Sequence, residues 1–267
     1  MVKYTSDWIV PDWPAPNNVK SLFTTRNGGV SSGVDGVYAS FNLATHVKAD
    51  LADVEYNRAL LRRYLPAEPR WLKQVHGTSA VWIESTAAAV PEGDAVLSRR
   101  PGSVCAVMVA DCLPVFLCDA AGTAVGIVHA GWRGLAGGII EQSVAAMQVD
   151  PGKLMVWLGP AIGPDHFEVG ADVYEAFVSH DEQAAQAFVP KNTTHEKKWL
   201  ADIFLLARQR LASIGITEIY GGGICTYSDP ARFFSYRRDG ETGRMAALIW
   251  RECMGLNFLM YYPATAY

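Results

Sequence analysis

Short apolar runs alternate with polar turns along the chain and predict a series of β-strands interrupted by a few helices. The β-rich runs cover residues 21–25, 71–75, 80–83, 104–109, 115–117, 124–128, 154–158, 218–220, 233–236 and 246–250. Helical spacing of apolar positions predicts helices over 50–64, 171–178 and 201–212, and another that opens in the glycine-rich segment 131–138 and runs to about residue 147. Strands and helices mix without a strict strand–helix–strand rhythm, which is typical of an α+β fold with mixed sheets.

The end of the chain suggests a hairpin, because a polar loop over 237–244 separates the last two predicted strands. No low-complexity linker and no internal repeat divides the sequence, so we expect residues 1–267 to form a single domain. Neither a Gly-x-Gly-x-x-Gly turn after the first strand nor a Walker-type loop is present, which argues against a classical nucleotide-binding fold.

Composition narrows the classes of partner. Hydrophobic residues make up 50% of the chain and charged residues 19%, as in a globular protein with a sizeable core. The net charge of -4 argues against a surface that neutralises a nucleic-acid backbone, so no nucleic-acid partner is expected.

The longest apolar stretch, 104–128, contains Asp111, Pro114 and Asp119 and therefore predicts buried strands rather than a membrane span. Residues 1–10 lack the apolar core of a secretory signal. The five cysteines are irregularly spaced and suggest no disulfide framework. We therefore expect a cytoplasmic protein with reduced thiols and no membrane association.

Three residues with metal-binding side chains lie beside predicted strand ends: His76, Cys112 and His129. Imidazole nitrogen and thiolate sulfur are the ligands that zinc prefers, and strands hold such ligands rigidly. Three protein ligands leave one position open, as in a catalytic zinc site, and the absence of any Cys-x-x-Cys pair argues against a structural site.

Two neighbouring features add to this candidate site. The four glycines of 131–138 can expose backbone N–H groups to an anion, with Arg133 as a second contact, or can simply let a helix pack closely on a sheet. Asp111 can orient a ligand histidine through a hydrogen bond, or can cap the end of its strand.

Longer motifs contain these residues. They are Gln74-Val75-His76-Gly77, Ala110-Asp111-Cys112-Leu113-Pro114-Val115 and His129-Ala130-Gly131-Trp132-Arg133-Gly134, with further matching segments at 25–31, 41–43, 159–163, 167–170, 225–227 and 233–239. Together they resemble the YfiH/YlmD family, which was long labelled laccase-domain or polyphenol oxidase and is now regarded as purine nucleoside phosphorylase-like.

The resemblance implies a mixed α+β sandwich flanked by helices, related to a bacterial glutamine-deamidating toxin domain. It implies His76, Cys112 and His129 as zinc ligands. It also implies phosphorolysis of adenosine, inosine, guanosine and methylthioadenosine, with adenosine deamination as a second activity. Copper can occupy the same three ligands in vitro, since it competes well for nitrogen and sulfur donors.

A phosphorolytic site needs cations for phosphate and polar groups for the nucleoside. We expect Arg26, Arg133 and Arg237 to hold phosphate and substrate, and Asn42 and His46 to contact hydroxyls or protons. The expected partners are purine nucleosides and phosphate. We expect the protein to be a monomer or a small homo-oligomer.

Three other interpretations use the same residues. A metal-free cysteine hydrolase or deamidase would take Cys112 as nucleophile and His129 as base, but it would leave His76 without a role. A copper-dependent polyphenol oxidase of the multicopper type needs about ten histidines in His-x-His pairs, whereas the chain has six and no such pair. A protein that only binds a metal or a nucleoside would never release free base.

Overall fold

The computed structural model describes residues 7–83, 90–191 and 197–253, which hold twelve strands and six α-helices. The strands are β1 (Val19–Phe23), β2 (Ala80–Trp82), β3 (Ala95–Ser98), β4 (Cys105–Val109), β5 (Leu113–Asp119), β6 (Val125–Ala130), β7 (Leu154–Leu158), β8 (Glu168–Val169), β9 (Phe188–Lys191), β10 (Lys198–Ala201), β11 (Glu218–Gly221) and β12 (Met245–Arg251). The helices are α1 (Leu51–Arg62), α2 (Trp132–Gly137), α3 (Ile139–Met147), α4 (Ala171–Val178), α5 (Ile203–Ser213) and α6 (Tyr236–Asp239).

Three sheets organise these strands. The largest has six strands in the order β11-β7-β5-β6-β3-β2, with parallel pairs at β11-β7 and β2-β3 and antiparallel pairs between them. A second sheet of order β1-β12-β4 is fully antiparallel, as is the small sheet β8-β10-β9. The mixed sheets predicted from the sequence are therefore present.

Alternation along β5 shows how the sheets stack. Leu113, Val115 and Leu117 point into one core, whereas Phe116 and Cys118 point into another. Successive strand residues face opposite sides of a sheet, so β5 is buried on both faces and reads as a continuous apolar run. The six-stranded sheet is thus the middle of the molecule.

Each face of that sheet has its own covering layer. The core around Phe116 is shared with the three-stranded sheet β1-β12-β4, and the core around Val115 is shared with α2, α3, α4 and α5. The outer face of β1-β12-β4 packs Leu22 and Leu248 against Leu61 of α1. The layers run helix, sheet, sheet, helices, which confirms the predicted α+β sandwich flanked by helices.

Most predicted elements are present within two residues of their expected ends, but two predicted strands are wrong. Residues 71–75 form no strand and make only an isolated bridge at Lys73. Residues 233–236 are also not a strand: Phe233 and Phe234 are buried as core-filling side chains, and Ser235 caps α6 instead. The predicted terminal hairpin is therefore wrong as well.

Differences at helices and short strands have local causes. The helix predicted from 131 to 147 is two helices, because Gly138 adopts a left-handed φ of 93° and ends α2. Strands β3, β8, β9 and β10 were not predicted; they have two to four residues, too few for a clear period. No helix in the described ranges is long and apolar enough to cross a membrane.

Candidate metal centre

Cys112 and His129 come from neighbouring strands of the six-stranded sheet. Cys112 directly precedes β5, and His129 is the second-last residue of β6. Pro114 pairs with His129 across the antiparallel ladder, so Cys112, two residues earlier, lies diagonally from His129 on the same face. The predicted meeting of the two side chains at one rim of a sheet is confirmed.

A tight turn between β4 and β5 presents Cys112. Asp111 has a φ of 89°, which few non-glycine residues adopt. Its carboxylate accepts hydrogen bonds from Thr226 Oγ1 (2.6 Å), Ser235 Oγ (2.9 Å) and the Arg237 N–H (2.7 Å). Both oxygens are taken by these donors, so the prediction that Asp111 orients a ligand histidine is wrong.

His76 lies in the loop ahead of β2 and approaches the other two residues from the side. Its φ of 59° is also left-handed. The preceding Gln74 docks this loop on β4: its Nε2 donates to the Met108 carbonyl (2.9 Å), and its Oε1 accepts from the Met108 N–H (2.8 Å). The amide side chain replaces a strand partner, which explains why 71–75 need not be a strand.

One carboxylate that the sequence analysis missed holds both histidines. Asp94 Oδ1 accepts from the His76 N–H (3.0 Å) and lies 2.8 Å from His129 Nδ1, while Oδ2 accepts from the Gly77 N–H (2.7 Å). Asp94 has no solvent exposure. The hydrogen bond at Nδ1 fixes the ring orientation and leaves Nε2 as the nitrogen that could bind a metal once it is deprotonated, the usual arrangement for a metal-ligating histidine.

Burial alone would raise the pKa of the Asp94 carboxyl. The hydrogen bond with His129 and those from the Gly77 and His76 N–H groups outweigh burial and lower the pKa. Asp94 is therefore ionised and supplies a fixed negative charge behind His129. The only signal for it in the sequence is an aspartate directly before β3, a strand too short to predict.

Gly131 leaves the space in which the three side chains meet. A Cβ at this position would lie 2.9 Å from His76 Cδ2, 3.1 Å from Cys112 Sγ and 3.7 Å from His129 Cε1. Gly134, one turn later, allows α2 to pack against the Gly77 carbonyl, which a Cβ would approach to 2.8 Å. At these two positions the glycines serve close packing.

The sulfur and the buried imidazole influence one another. Burial would raise the pKa of the Cys112 thiol, but the charge and hydrogen bond of His129, together with His76, lower it to about 6. Burial would lower the pKa of His129, whereas the Cys112 charge and the Asp94 hydrogen bond raise it. Cys112 is therefore a thiolate at neutral pH, the form that binds metals.

The three donor atoms lie within 4.8 Å of one another, and Cys112 Sγ is 3.9 Å from His76 Nε2. Tetrahedral zinc, with bonds of about 2.3 Å to sulfur and about 2.0 Å to nitrogen, places such donors about 3.6 Å apart. The residues present therefore fit a zinc ion after a small contraction. We call His76, Cys112 and His129 the metal centre.

The metal centre is open to solvent on one side. His129 is buried, Cys112 is half-buried and His76 is exposed. Arg133, on the first turn of α2, is exposed, and its guanidinium carbon lies 4.3 Å from the Trp132 ring centroid. An open side is what a substrate would need to reach a metal held by these three residues.

The remaining predicted substrate residues occupy different surroundings. Arg26 donates to the Ala39, Pro230 and Gly36 carbonyls and lies over the Phe234 ring. This arginine ties three loops together, so its hydrogen-bonding groups are largely used within the protein.

Asn42 is fully buried, and its side chain bonds the Ala44 backbone and the Arg244 N–H. Arg237 donates from Nη1 to the Glu168 carbonyl (2.7 Å). His46 lies at the surface, where partial burial and the charges of two arginines, led by Arg244, lower its pKa. Direct substrate contacts by these residues stay predictions.

A sequence model of the family described as "Multi-copper polyphenol oxidoreductase laccase" matches residues 20–252. The chain belongs to this family. Among its relatives are a purine nucleoside phosphorylase of Pseudomonas aeruginosa, 49% identical over 92% of this chain and 98% of the relative, and the purine nucleoside phosphorylase YfiH of Escherichia coli, 49% identical over 92% and 99%.

Solved structures of laccase-family relatives share the fold. A Neisseria meningitidis protein is similar with a TM-score of 0.87 at 48% identity, covering 93% of this chain and all of that one. YlmD from Geobacillus stearothermophilus gives a TM-score of 0.80 at 31% identity, covering 94% and 98%. The family resemblance noted in the sequence is therefore confirmed.

The family description names several copper ions, but the described residues hold one group of three or more His, Cys, Asp or Glu side chains with metal-ligand geometry. With six histidines in the whole chain, a mononuclear site is the arrangement that the residues support. A laccase-type cluster of additional coppers has no comparable donor set within 7–83, 90–191 and 197–253.

Proposed function

We propose that the chain is a purine nucleoside phosphorylase whose zinc ligands are His76, Cys112 and His129. One observation carries the proposal: two imidazoles and a thiolate converge at an open rim in a chain 49% identical, over 92% of its length, to proteins named purine nucleoside phosphorylase. The proposed substrates are adenosine, inosine, guanosine and methylthioadenosine, with adenosine deamination as a second activity.

Zinc held by these ligands would supply Lewis-acid polarisation of a substrate oxygen. The chain's own residues prepare the site. Asp94 holds the His129 Nδ1–H and the His76 backbone, so the His129 ring and the loop that carries His76 are positioned before substrate arrives. Cys112 contributes a negative charge, and its turn is fixed by Asp111.

In phosphorolysis a phosphate oxygen forms a bond to ribose C1′ while the bond from C1′ to N9 of the purine breaks. The electron pair of that bond stays on the purine, which takes up a proton and leaves as free base beside ribose 1-phosphate or its methylthio analogue. We propose that Arg133, which follows His129 by four residues on the first turn of α2, and His46 provide substrate contacts, because both side chains are exposed. In deamination, water replaces ammonia at C6 of adenosine.

The proposal also covers the domain organisation, the cellular location and the partners of the protein. The three cores share strands of two central sheets, which supports a single catalytic domain over 1–267. A thiolate ligand requires reduced cysteine, which supports a cytoplasmic location. The proposed partners are small purine nucleosides and phosphate, and neither nucleic acid nor a membrane is among them. The proposed oligomeric state is a monomer or a small homo-oligomer.

A metal-free cysteine enzyme is the second candidate, because the lowered pKa of Cys112 beside His129 also suits a nucleophile and its base. The two candidates differ at His76, which only a metal needs. His76→Gly removes the imidazole and keeps the left-handed backbone without strain. Gln148→Gly is the matched control, since Gln148 is exposed and has a similar φ of 51°.

The experiment incubates purified protein with inosine or adenosine, with and without phosphate, and measures free base, ribose 1-phosphate and bound metal. We expect about one zinc per chain and phosphate-dependent base release, both lost in His76→Gly and kept in Gln148→Gly. Full activity without stoichiometric metal, abolished by a thiol-alkylating reagent, would establish the cysteine enzyme instead. Copper at one equivalent with oxidation of phenols would establish the oxidase.

A further inference from the structure

Arg244 lies beside the metal centre, although no sequence motif pointed to it. It directly precedes β12, whose first residue, Met245, pairs with Val109 of β4. Extending this antiparallel register by one position sets Arg244 opposite Ala110, next to the turn that carries Cys112. The start of β12 and the end of β4 therefore bring this arginine to the ligand rim.

The backbone of Arg244 is fixed on both sides. Its N–H donates to Asn42 Oδ1 (3.0 Å), and its carbonyl accepts from the Leu43 N–H (3.3 Å). The guanidinium is fixed at one nitrogen only, since Nη1 donates to the Thr242 (2.7 Å) and Gly243 (3.0 Å) carbonyls. The buried Asn42 thus acts by positioning this arginine.

The rest of the guanidinium is left unsatisfied. Arginine has five N–H donors in a planar fork, and the Nη1 pair accounts for two of them. Nε and Nη2 make no hydrogen bond with any residue that the structure describes, and no described carboxylate forms an ion pair with Arg244. Three N–H donors, one on Nε and two on Nη2, therefore remain for a ligand.

The positive charge of Arg244 itself is what an anion would meet at this fork. Burial lowers the pKa of Arg244, while the charges of Cys112 and Asp111, which are near enough to act on it, raise it. A guanidinium stays protonated in any case, so a partly buried positive charge persists. Burial first, and then the charges of Arg244 and Arg58, lower the pKa of His46, so both guanidiniums lie near that imidazole.

Other arginines nearby are used differently. Arg26 spends its three nitrogens on backbone carbonyls, and Arg58 donates from Nε to the Leu43 carbonyl. Arg133 is exposed, so the position of its guanidinium relative to the backbone is not fixed. Arg244 has a fixed backbone, available N–H donors on Nε and Nη2, and a position next to the metal centre.

We propose that Arg244 binds the phosphate co-substrate through a two-pronged contact from Nε and Nη2 to its oxygens. Such fork-shaped pairing with tetrahedral oxyanions is the geometry that distinguishes arginine from lysine. The proposal rests on the proposed phosphorolysis for its biological meaning, but the anion site itself can be measured without turnover.

The first experiment measures the thermal stability of the zinc-loaded protein as inorganic phosphate is added, because a ligand that binds the folded state raises the melting temperature. Arg244→Met removes the charge and the fork, and Arg244→Lys keeps the charge alone. Arg63→Met is the matched control, because Arg63 is an exposed arginine at the C-cap directly after α1. We expect phosphate stabilisation in wild type and Arg63→Met, its loss in Arg244→Met, and an intermediate shift in Arg244→Lys.

The second experiment measures the KM for inosine and the KM for phosphate separately, by varying the concentration of each substrate independently. We expect Arg244→Met to raise the KM for phosphate roughly ten- to hundredfold, as loss of a charge-assisted bidentate contact does. The KM for inosine should change less than about threefold, and zinc content should stay at the wild-type value. If Arg244→Met does not fold, Arg244→Lys gives the same split with a smaller increase.

The outcomes separate this inference from the function on which it rests. An unchanged phosphate KM and unchanged phosphate stabilisation in both Arg244 variants would overturn the inference and leave phosphorolysis standing. Equal increases in both KM values with zinc loss would also overturn it, because the role would then be structural. Phosphate stabilisation that depends on Arg244, without any base release by wild type, would overturn the proposed function and keep the anion site.

Discussion

Two buried aspartates flank the metal centre and hold different parts of the molecule. Asp94 accepts hydrogen bonds from residues of the metal centre itself, the His76 N–H and the His129 imidazole. Asp111 accepts none from the histidines and instead binds Thr226, Ser235 and the Arg237 N–H. The first carboxylate orients ligands, and the second joins the ligand turn to the segment that leads to Arg244.

The two aspartates also differ in how far their partners lie along the chain. Partners of Asp94 are 17 to 35 residues away, whereas those of Asp111 are 115 to 126 residues away. The ligand side of the centre is thus built within one contiguous part of the chain. The turn that carries Cys112 is fixed instead by partners from the C-terminal part of the chain.

The largest effect is expected from Asp94→Ala. This variant leaves a buried imidazole N–H and the backbone N–H groups of Val75, His76 and Gly77 without acceptors, so we expect a loss of about 3–5 kcal/mol in the free energy of unfolding. Zinc affinity should fall at least about 10- to 100-fold, since the histidines lose their orienting partner. Urea unfolding and a competition titration with a zinc chelator measure the two quantities.

Asp94→Asn is the companion variant because it keeps the volume and one acceptor. It should fold more stably than Asp94→Ala and still bind zinc more weakly than wild type. Unchanged zinc affinity in both variants would show that Asp94 supports only the fold, and the contrast between the two aspartates would disappear.

Asp111→Asn is expected to reduce stability less than Asp94→Ala and to lower phosphorolysis without loss of zinc. Asparagine tolerates the left-handed backbone at this position, but its NH₂ group faces donors, so we expect a loss of about 2–3 kcal/mol in unfolding free energy. Zinc content should be kept, while phosphorolysis falls because the segment before β12 is no longer fixed. Loss of zinc to the same extent as in Asp94→Ala would contradict the inference that Asp94, and not Asp111, orients the metal ligands.

Gly131→Ala tests the ligand side without removing any hydrogen bond. The new Cβ would lie 2.9 Å from His76 Cδ2 and 3.1 Å from Cys112 Sγ, so the ligands must separate. We expect zinc affinity to fall about tenfold with a destabilisation of only about 1 kcal/mol. Gly152→Ala, whose Cβ would meet its nearest atom at 3.5 Å, should change neither quantity. Equal zinc affinities in the two variants would show that the space at Gly131 is not needed.

The same contrast explains what the sequence could predict. Cys112 and His129 follow apolar strands long enough to recognise, so their meeting at one rim is predictable from strand pairing. Asp94 precedes a four-residue strand with no visible period, and Arg244 gains meaning only from the register of β12 on β4. Asp111 looked like a histidine partner because its true partners lie over 100 residues away. Local pattern predicts elements; it does not predict which distant side chains satisfy a buried charge.

The smallest effect is expected from Thr226→Val, which keeps shape and removes one hydroxyl from Asp111. Thr226 is fully buried, and its Oγ1 donates to Asp111 Oδ1 at 2.6 Å. Loss of a hydrogen bond to a charged acceptor costs about 1.5–3 kcal/mol, and the bonds from Ser235 and Arg237 to the other oxygen place the expected value near the lower end. Urea unfolding should show this loss with zinc content unchanged, because the Thr226 hydroxyl bonds to Asp111 and to none of the three metal-centre residues. If Thr226→Val instead releases zinc, Asp111 transmits its hydrogen bonding to Cys112, and both aspartates then control the metal.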